Sequence, residues 1–197
     1  MTRIGILALQ GDFLEHKLPL HRLGVEAVEV RQTKHLDGLD GLIMPGGEST
    51  TFAIIAQRLG MIEPLRQFVR TRPTWGTCAG AIFLAKTVTG KASDQLSLGV
   101  MDITVRRNAF GRQIDSFVAP LTIYGIVGDP YQAVFIRAPI METLDSKVEA
   151  LATLADGRIV AAQQGHLLAT SFHPELTDDD RVHALFLSMV RHFQQPS

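Results

Sequence analysis

The sequence predicts an α/β fold: a three-layer sandwich with a mostly parallel central sheet in its first half and antiparallel strands in its second half. Three observations predict it. In the first half, apolar strand-like runs alternate with helix-like runs, the order that builds a parallel sheet with helices on both faces. From Val100 onward the pattern becomes short, closely spaced strands, with a hairpin signal at Asp156-Gly157. Three loops near the ends of strand-like runs carry glycine, and such loops gather beyond the carboxyl ends of the strands in open sheets.

The elements follow in order. Residues 4–9 are a continuous apolar run ending at Gln10-Gly11, the pattern of a strand buried on both faces. Residues 12–23 are helix-like and stop at Gly24; Pro19 inside them predicts a kink or a helix in two pieces. Residues 25–30 and 41–44 read as the next strands, the second running into Pro45-Gly46-Gly47. Ser49, Thr50 and Thr51 offer caps for a helix through Leu59, and residues 63–70 make another. A fourth strand, 74–77, leads into Cys78 and a helix-like run, 82–85. The second half predicts strands at 102–106, 116–123, 133–137, 148–154, 158–162 and 167–171. The last helix is expected over 178–193, with Asp178, Asp179 and Asp180 in its first turn, where carboxylates suit the helix dipole. That acidic triplet reads as a cap rather than a metal site.

Composition narrows the function classes. At 197 residues, 46% hydrophobic and 20% charged, the chain is expected to form one folded domain, 1–197. Its net charge of −1 gives no electrostatic case for nucleic acid or an anionic membrane. No apolar run approaches a membrane span, and Met1 to Gly5 leads into a strand pattern without signal-peptide architecture. A single cysteine excludes an intramolecular disulfide and suggests a reducing compartment, so a cytoplasmic location is expected.

That cysteine, Cys78, lies in Gly76-Thr77-Cys78-Ala79-Gly80, between a strand and a helix. Small neighbours permit a sharp turn, and the arrangement is a nucleophile elbow with sulfur in place of a serine hydroxyl. The thiol would stand at a helix N-terminus, where backbone N–H groups favour the thiolate. Taken alone, a lone cysteine is as readily a small buried hydrophobe. A cysteine nucleophile needs a base and a group to orient it. Among seven histidines, most of which look like surface residues, His173 ends an apolar run and precedes Pro174-Glu175. Proline favours an extended His173, so His173 and Glu175 would project to one side and meet. By itself His-Pro-Glu is more often a turn with a solvated carboxylate. An oxyanion site could combine the backbone N–H of Ala79 with one from the Gly46-Gly47 turn.

With these residues the chain resembles the class I (triad) glutamine amidotransferases. Further blocks narrow the resemblance to the glutaminase subunits of pyridoxal 5′-phosphate synthases. They are Leu7-Ala8-Leu9-Gln10-Gly11 with Glu15-His16, Pro45-Gly46-Gly47-Glu48-Ser49-Thr50-Thr51, and Arg107-Asn108-Ala109-Phe110-Gly111-Arg112-Gln113. Asp115-Ser116-Phe117, Phe135-Ile136-Arg137-Ala138-Pro139 and Ser171-Phe172-His173-Pro174-Glu175-Leu176 complete the set. The resemblance implies Cys78 as nucleophile, His173 as base and Glu175 as its orienting partner. It further implies that Gly47, Glu48, Ser49, Arg107, Ile136 and Arg137 hold L-glutamine, with Gly47 and Ala79 at the oxyanion. Arg107 and Arg137 could equally be surface ion-pair residues on composition alone. No cofactor and no metal are expected. The implied partner is a separate synthase subunit that takes the ammonia and combines it with a pentose phosphate and a triose phosphate. The chain has no Walker-type loop, which agrees with the sugar phosphates binding that partner. Two rival readings remain at this stage: another cysteine hydrolase on a similar fold, and a non-catalytic binding subunit.

Overall fold

A computed structural model describes residues 1–90, 96–107 and 116–195. In chain order the elements are β1 (Arg3–Leu7), α1 (Lys17–Arg22), β2 (Glu26–Val30), β3 (Gly41–Met44), α2 (Ser49–Arg58), α3 (Ile62–Thr71), β4 (Thr74–Thr77) and α4 (Ala79–Leu84). There follow β5 (Ala85–Thr89), β6 (Met101–Arg106), β7 (Ser116–Leu121), β8 (Tyr131–Ile136), β9 (Ile140–Leu144), β10 (Glu149–Thr153), β11 (Ile159–Gln164), β12 (Leu167–Thr170) and α5 (Arg181–Gln194). Short 3₁₀ turns lie at Thr33–Leu36 and Pro174–Leu176.

The main sheet runs β2-β1-β3-β4-β12-β11-β9-β6-β5, with β10 added beside β11. From β2 to β12 all neighbours are parallel. Beyond β12 the pairs β12/β11, β11/β9 and β9/β6 are antiparallel, and β5/β6 closes the edge in parallel. A separate antiparallel hairpin joins β7 and β8. Parallel strands in the centre, antiparallel strands from the second half, and helices on both faces match the expected class.

Side-chain alternation explains the layers. Every residue of β3, β4 and β12 is buried, so these strands have no solvent face. Leu42 and Met44 point to one side, into a cluster with Phe52 of α2, Leu65 of α3 and Phe83 of α4. Ile43 points to the other, joining Trp75, Leu20 of α1 and Phe186 and Val190 of α5. Each face therefore carries its own apolar core.

Four expectations need correction. The helix over 12–23 shrinks to Lys17–Arg22, with Pro19 inside it. Pro19 is the third helical residue, where its missing N–H has no intrahelical partner to lose. The strand Ala85–Thr89 continues directly from α4, and its first residue had extended the apolar helical run. The strand Ile140–Leu144 carried too weak an alternation to stand out after Pro139. Finally, α5 begins at Arg181, so the aspartates precede its first turn. Asp179 accepts from the backbone N–H of Arg181, the first residue of α5, and also pairs with its guanidinium, while Asp180 forms a bidentate pair with Arg22 of α1. Among the described residues, no helix is long and apolar enough to cross a membrane.

Candidate active site

Strands β1, β3, β4 and β12 are consecutive neighbours in the sheet, so the loops that follow them meet at one edge. Asp12 N–H donates to the Gly46 carbonyl at 3.3 Å, and the Gln10 side-chain amide donates to the Glu48 carbonyl at 3.1 Å. The three glycine-bearing loops thus form one rim, as the sequence pattern predicts.

Cys78 stands between β4 and α4 with φ 46° and ψ −101°, a backbone conformation L-residues seldom adopt. Its N–H is clamped to the Thr170 carbonyl at 2.8 Å. The turn closes tightly enough that a Cβ on Gly80 would stand 1.9 Å from the Met44 carbonyl oxygen, and one on Gly76 2.5 Å from the Gly80 carbonyl carbon. No side chain fits at either position, which is why small residues flank the cysteine.

His173 and Glu175 meet at 2.7 Å, Nδ1 to Oε1, and both side chains are buried. The contact is made by a 3₁₀ turn over Pro174–Leu176 rather than by the extended chain expected from the proline. With Nδ1–H donating to the carboxylate, Nε2 is left for the thiol side. Burial opposes the imidazolium, but Cys78 and then Glu175 outweigh it and lift the His173 pKa to about 10. Burial pushes the Glu175 carboxyl up, against the downward pull of His173. Asp12 Oδ2 lies 3.5 Å from the same His173 nitrogen. Sequence reading assigned Asp12 no role; its place directly after Gly11 in the rim loop was the available signal.

The thiol and the imidazole open into a cavity of about 360 Å³. Gly47, Glu48, Ser49, Arg107, Ile136 and Arg137 all line it, so every expected glutamine-pocket residue falls on this wall. Ala79, expected to give one oxyanion donor beside the Gly46-Gly47 turn, is the buried first residue of α4. Ile82 and Leu176 also line the cavity and were not singled out from sequence. Gly47 has φ +137°, close to the Gln10 side chain. Arg137, like Cys78, has a positive φ, 42°. The blocks from Asn108 to Gln113 and Asp115 lie outside the described residues.

Glu48 holds the pocket wall together. Its carboxylate caps α2, accepting from Thr50 N–H at 3.0 Å and Thr51 N–H at 2.6 Å. It also pairs with Arg107 Nη2 at 3.3 Å, while Arg107 Nη1 donates to Thr50 Oγ1 at 3.2 Å. Ser49, Thr50 and Thr51 were expected to supply the cap; the residue before them does so. Partial burial raises the Glu48 pKa, but the hydrogen bonds from Thr51 and Thr50 win and bring it to about 2. Because this pKa is depressed, its stabilisation is present above the ordinary carboxylate value and is lost as pH falls through about 2. Glu48→Ala should therefore cost about 1 kcal/mol, lowering Tm by roughly 2–4 °C for a chain of this size. Thermal melts at pH 7 and pH 2 check this: the difference between variant and wild type should shrink at the lower pH.

Comparison with known proteins bears on this site. The model of the SNO glutamine amidotransferase family matches residues 6–192. The chain is 53% identical over 187 residues to the pyridoxal 5′-phosphate synthase subunit PdxT of Roseiflexus sp. (strain RS-1), covering 94% of this chain and 99% of that relative. It is 54% identical over 189 residues to the subunit of the same name from Corynebacterium jeikeium (strain K411), covering 95% and 96%. A solved structure described as a glutamine amidotransferase superposes with a TM-score of 0.89 at 49% identity, covering 95% of this chain and 98% of that one.

Proposed function

The chain belongs to the SNO glutamine amidotransferase family, and from that premise we propose that it is the glutamine-hydrolysing subunit of a pyridoxal 5′-phosphate synthase. It converts L-glutamine to L-glutamate and ammonia, and the ammonia passes to a separate synthase subunit. The observation that carries this reading is the Cys78 elbow facing a cavity shared with His173, itself held by Glu175 at 2.7 Å.

In the proposed mechanism the Cys78 thiolate attacks the carbon of the glutamine side-chain amide. The oxygen becomes anionic and is received by backbone N–H groups of Gly47 and Ala79. His173, protonated beside the sulfur, gives its proton to the departing nitrogen, so ammonia leaves and a γ-glutamyl thioester remains. Neutral His173 then takes a proton from water, which attacks the thioester and releases glutamate and the thiolate. Glu175 keeps the imidazole in the tautomer that presents Nε2 to the sulfur. Arg107 fixes the wall through Glu48 and Thr50, and Arg137, next to Ile136, also lines the cavity and is assigned to the charged end of the substrate. The synthase subunit is the site for the pentose and triose phosphates, and the cytoplasm is the proposed compartment.

Ammonia released without an acceptor wastes glutamine, so the isolated chain should be slow. The Gly46-Gly47 peptide is the proposed control point, because without Cβ atoms it can turn an N–H into or out of the oxyanion site. Losing one such donor costs roughly a hundredfold in kcat or more. Glutamine hydrolysis by the chain alone and with saturating synthase subunit tests both points. Hydrolysis that rises on the order of a hundredfold with the partner supports them. Equal kcat in both would remove the gating, and no hydrolysis in either would remove the glutaminase reading.

A further inference from the structure

Behind Glu175 lies a second buried polar group that the mechanism above does not use. His16 and His183 are both fully buried. His16 Nδ1 is 3.0 Å from His183 Nε2, and His16 Nε2 is 3.5 Å from Glu175 Oε2. Trp75 sets its ring edge-on to both imidazoles, at 5.6 Å and 5.0 Å between centroids, and is itself fixed by its N–H to Thr170 Oγ1 at 3.0 Å. His16, His183 and Trp75 thus come from the β1–α1 loop, α5 and β4, and meet at the far side of the carboxylate from His173.

With Glu175 ionised, proton placement between its carboxylate and the two imidazoles has one solution, which leaves His183 Nδ1, buried and without a hydrogen-bond partner among the described residues, as a bare acceptor. Ionised Glu175 has only acceptors, and Oε1 already takes the Nδ1–H of His173. Oε2 is buried and has no hydrogen-bond partner among the described residues, as has His16 Nε2, the nitrogen that faces it. A lone pair on that nitrogen would oppose the carboxylate in a site closed to water. Nε2 must therefore carry the hydrogen, which leaves His16 Nδ1 as an acceptor. His183 Nε2 must then be the donor in the 3.0 Å contact. Every N–H in the chain points toward Glu175. The separation of 3.5 Å is longer than a mature hydrogen bond, and contacts of this kind commonly tighten when substrate binds.

We propose that His16 is a positioning residue for glutamine hydrolysis: its Nε2–H holds the second oxygen of Glu175, and His183 fixes the His16 tautomer that makes this possible. The proposal rests on Glu175 orienting His173, as proposed above. A neutral donor suits the role. Burial first, and then His183 and His173, press His16 well below the ordinary histidine value, and burial brings His183 to about 4. The pair thus supports the carboxylate by hydrogen bonding and leaves its charge to His173.

The test compares His16→Gln, whose amide N–H can replace Nε2–H, with His16→Leu, which cannot donate. Both are assayed for glutamine hydrolysis with saturating synthase subunit, across pH. His16→Leu should lose roughly 10–100-fold in kcat with little change in KM, the usual effect of removing an outer hydrogen-bond partner. Its acid limb should move to higher pH, because a carboxylate that loses a donor holds its proton more tightly. His16→Gln should restore most of both. The titratable and charged groups around Glu175 are His173, Asp12, His16 and Tyr131, with Glu15, Arg22 and Asp178 around the surface depression above it and Asp180 beyond His183. Wild-type kcat and pH profile in His16→Leu would overturn the proposal, as would equal losses in both variants with an unmoved profile. Histidine ¹⁵N spectra of the wild-type chain decide independently if His16→Leu does not fold: His16 and His183 should both be protonated at Nε2, and the other tautomer at His16 would sink the idea. Activity surviving in Cys78→Ala would instead bring down the underlying reading, so the two failures are distinguishable.

Discussion

Cys78→Ala is expected to abolish glutamine hydrolysis, with kcat reduced on the order of 10⁴–10⁶-fold. Removing a nucleophile costs about as much as removing a whole catalytic triad, because the remaining members have nothing to activate. The fold should survive. The backbone clamp from residue 78 to the Thr170 carbonyl does not involve the sulfur, and alanine is no larger than cysteine. The measurement is steady-state hydrolysis in the presence of the synthase subunit, beside a thermal melt of the same preparation. A folded variant that still turns over glutamine would end the covalent mechanism. The substitution should also show in His173. Cys78 is the larger of the two influences that raise this imidazole to about 10, so histidine NMR should find it titrating at lower pH in the variant. In the wild type, the stabilisation from this raised pKa is complete below the ordinary histidine value and is lost as pH rises through about 10. In the variant the loss should begin at lower pH.

His173→Ala should be nearly as severe, on the order of 10⁴-fold or more in kcat, since it removes the group that both protonates ammonia and activates water. It should also destabilise the chain, because Glu175 would be left buried with one carboxylate oxygen stripped of its donor. His173→Asn separates the two effects. Its amide can still donate toward Glu175 but cannot act as a base, so the fold should recover while activity stays lost. Activity close to wild type in His173→Asn would remove the base from the proposed mechanism.

Much of this site was legible because its signals are local. A turn that needs glycine at 76 and 80, and a His-Pro-Glu segment that brings residues 173 and 175 together, are written into a few consecutive positions. The same holds for β3 and β12, whose wholly buried strands read as short, mainly apolar runs. What the sequence concealed depends on distant parts of the chain. His16 and His183 look like exposed helix residues until α5 is laid against β4 and the start of α1. They are separated by 167 positions. Asp12 was read as the start of a helix, although it belongs to the rim of the cavity. Asp180 was assigned to its own helix by proximity, but Arg22 of α1 claims it. Each of these residues is polar, and its partner is chosen by tertiary packing rather than by local periodicity.

The backbone at Cys78 sets stability and chemistry against each other. Its conformation is one that glycine adopts freely and that costs other residues roughly 1–3 kcal/mol. The residue most comfortable at this corner is thus one with no sulfur at all. The rest of the molecule must hold the corner shut, and the closure between Met44 and Gly80, together with the Thr170 clamp, does so from positions that carry no reactive group. Over evolutionary drift, substitutions that loosen those supports would let the corner relax while leaving a well-folded chain. Selection for catalysis is therefore felt at glycines and backbone contacts as strongly as at the nucleophile, and a relative that lost its chemistry would be free to become more stable than its working ancestor.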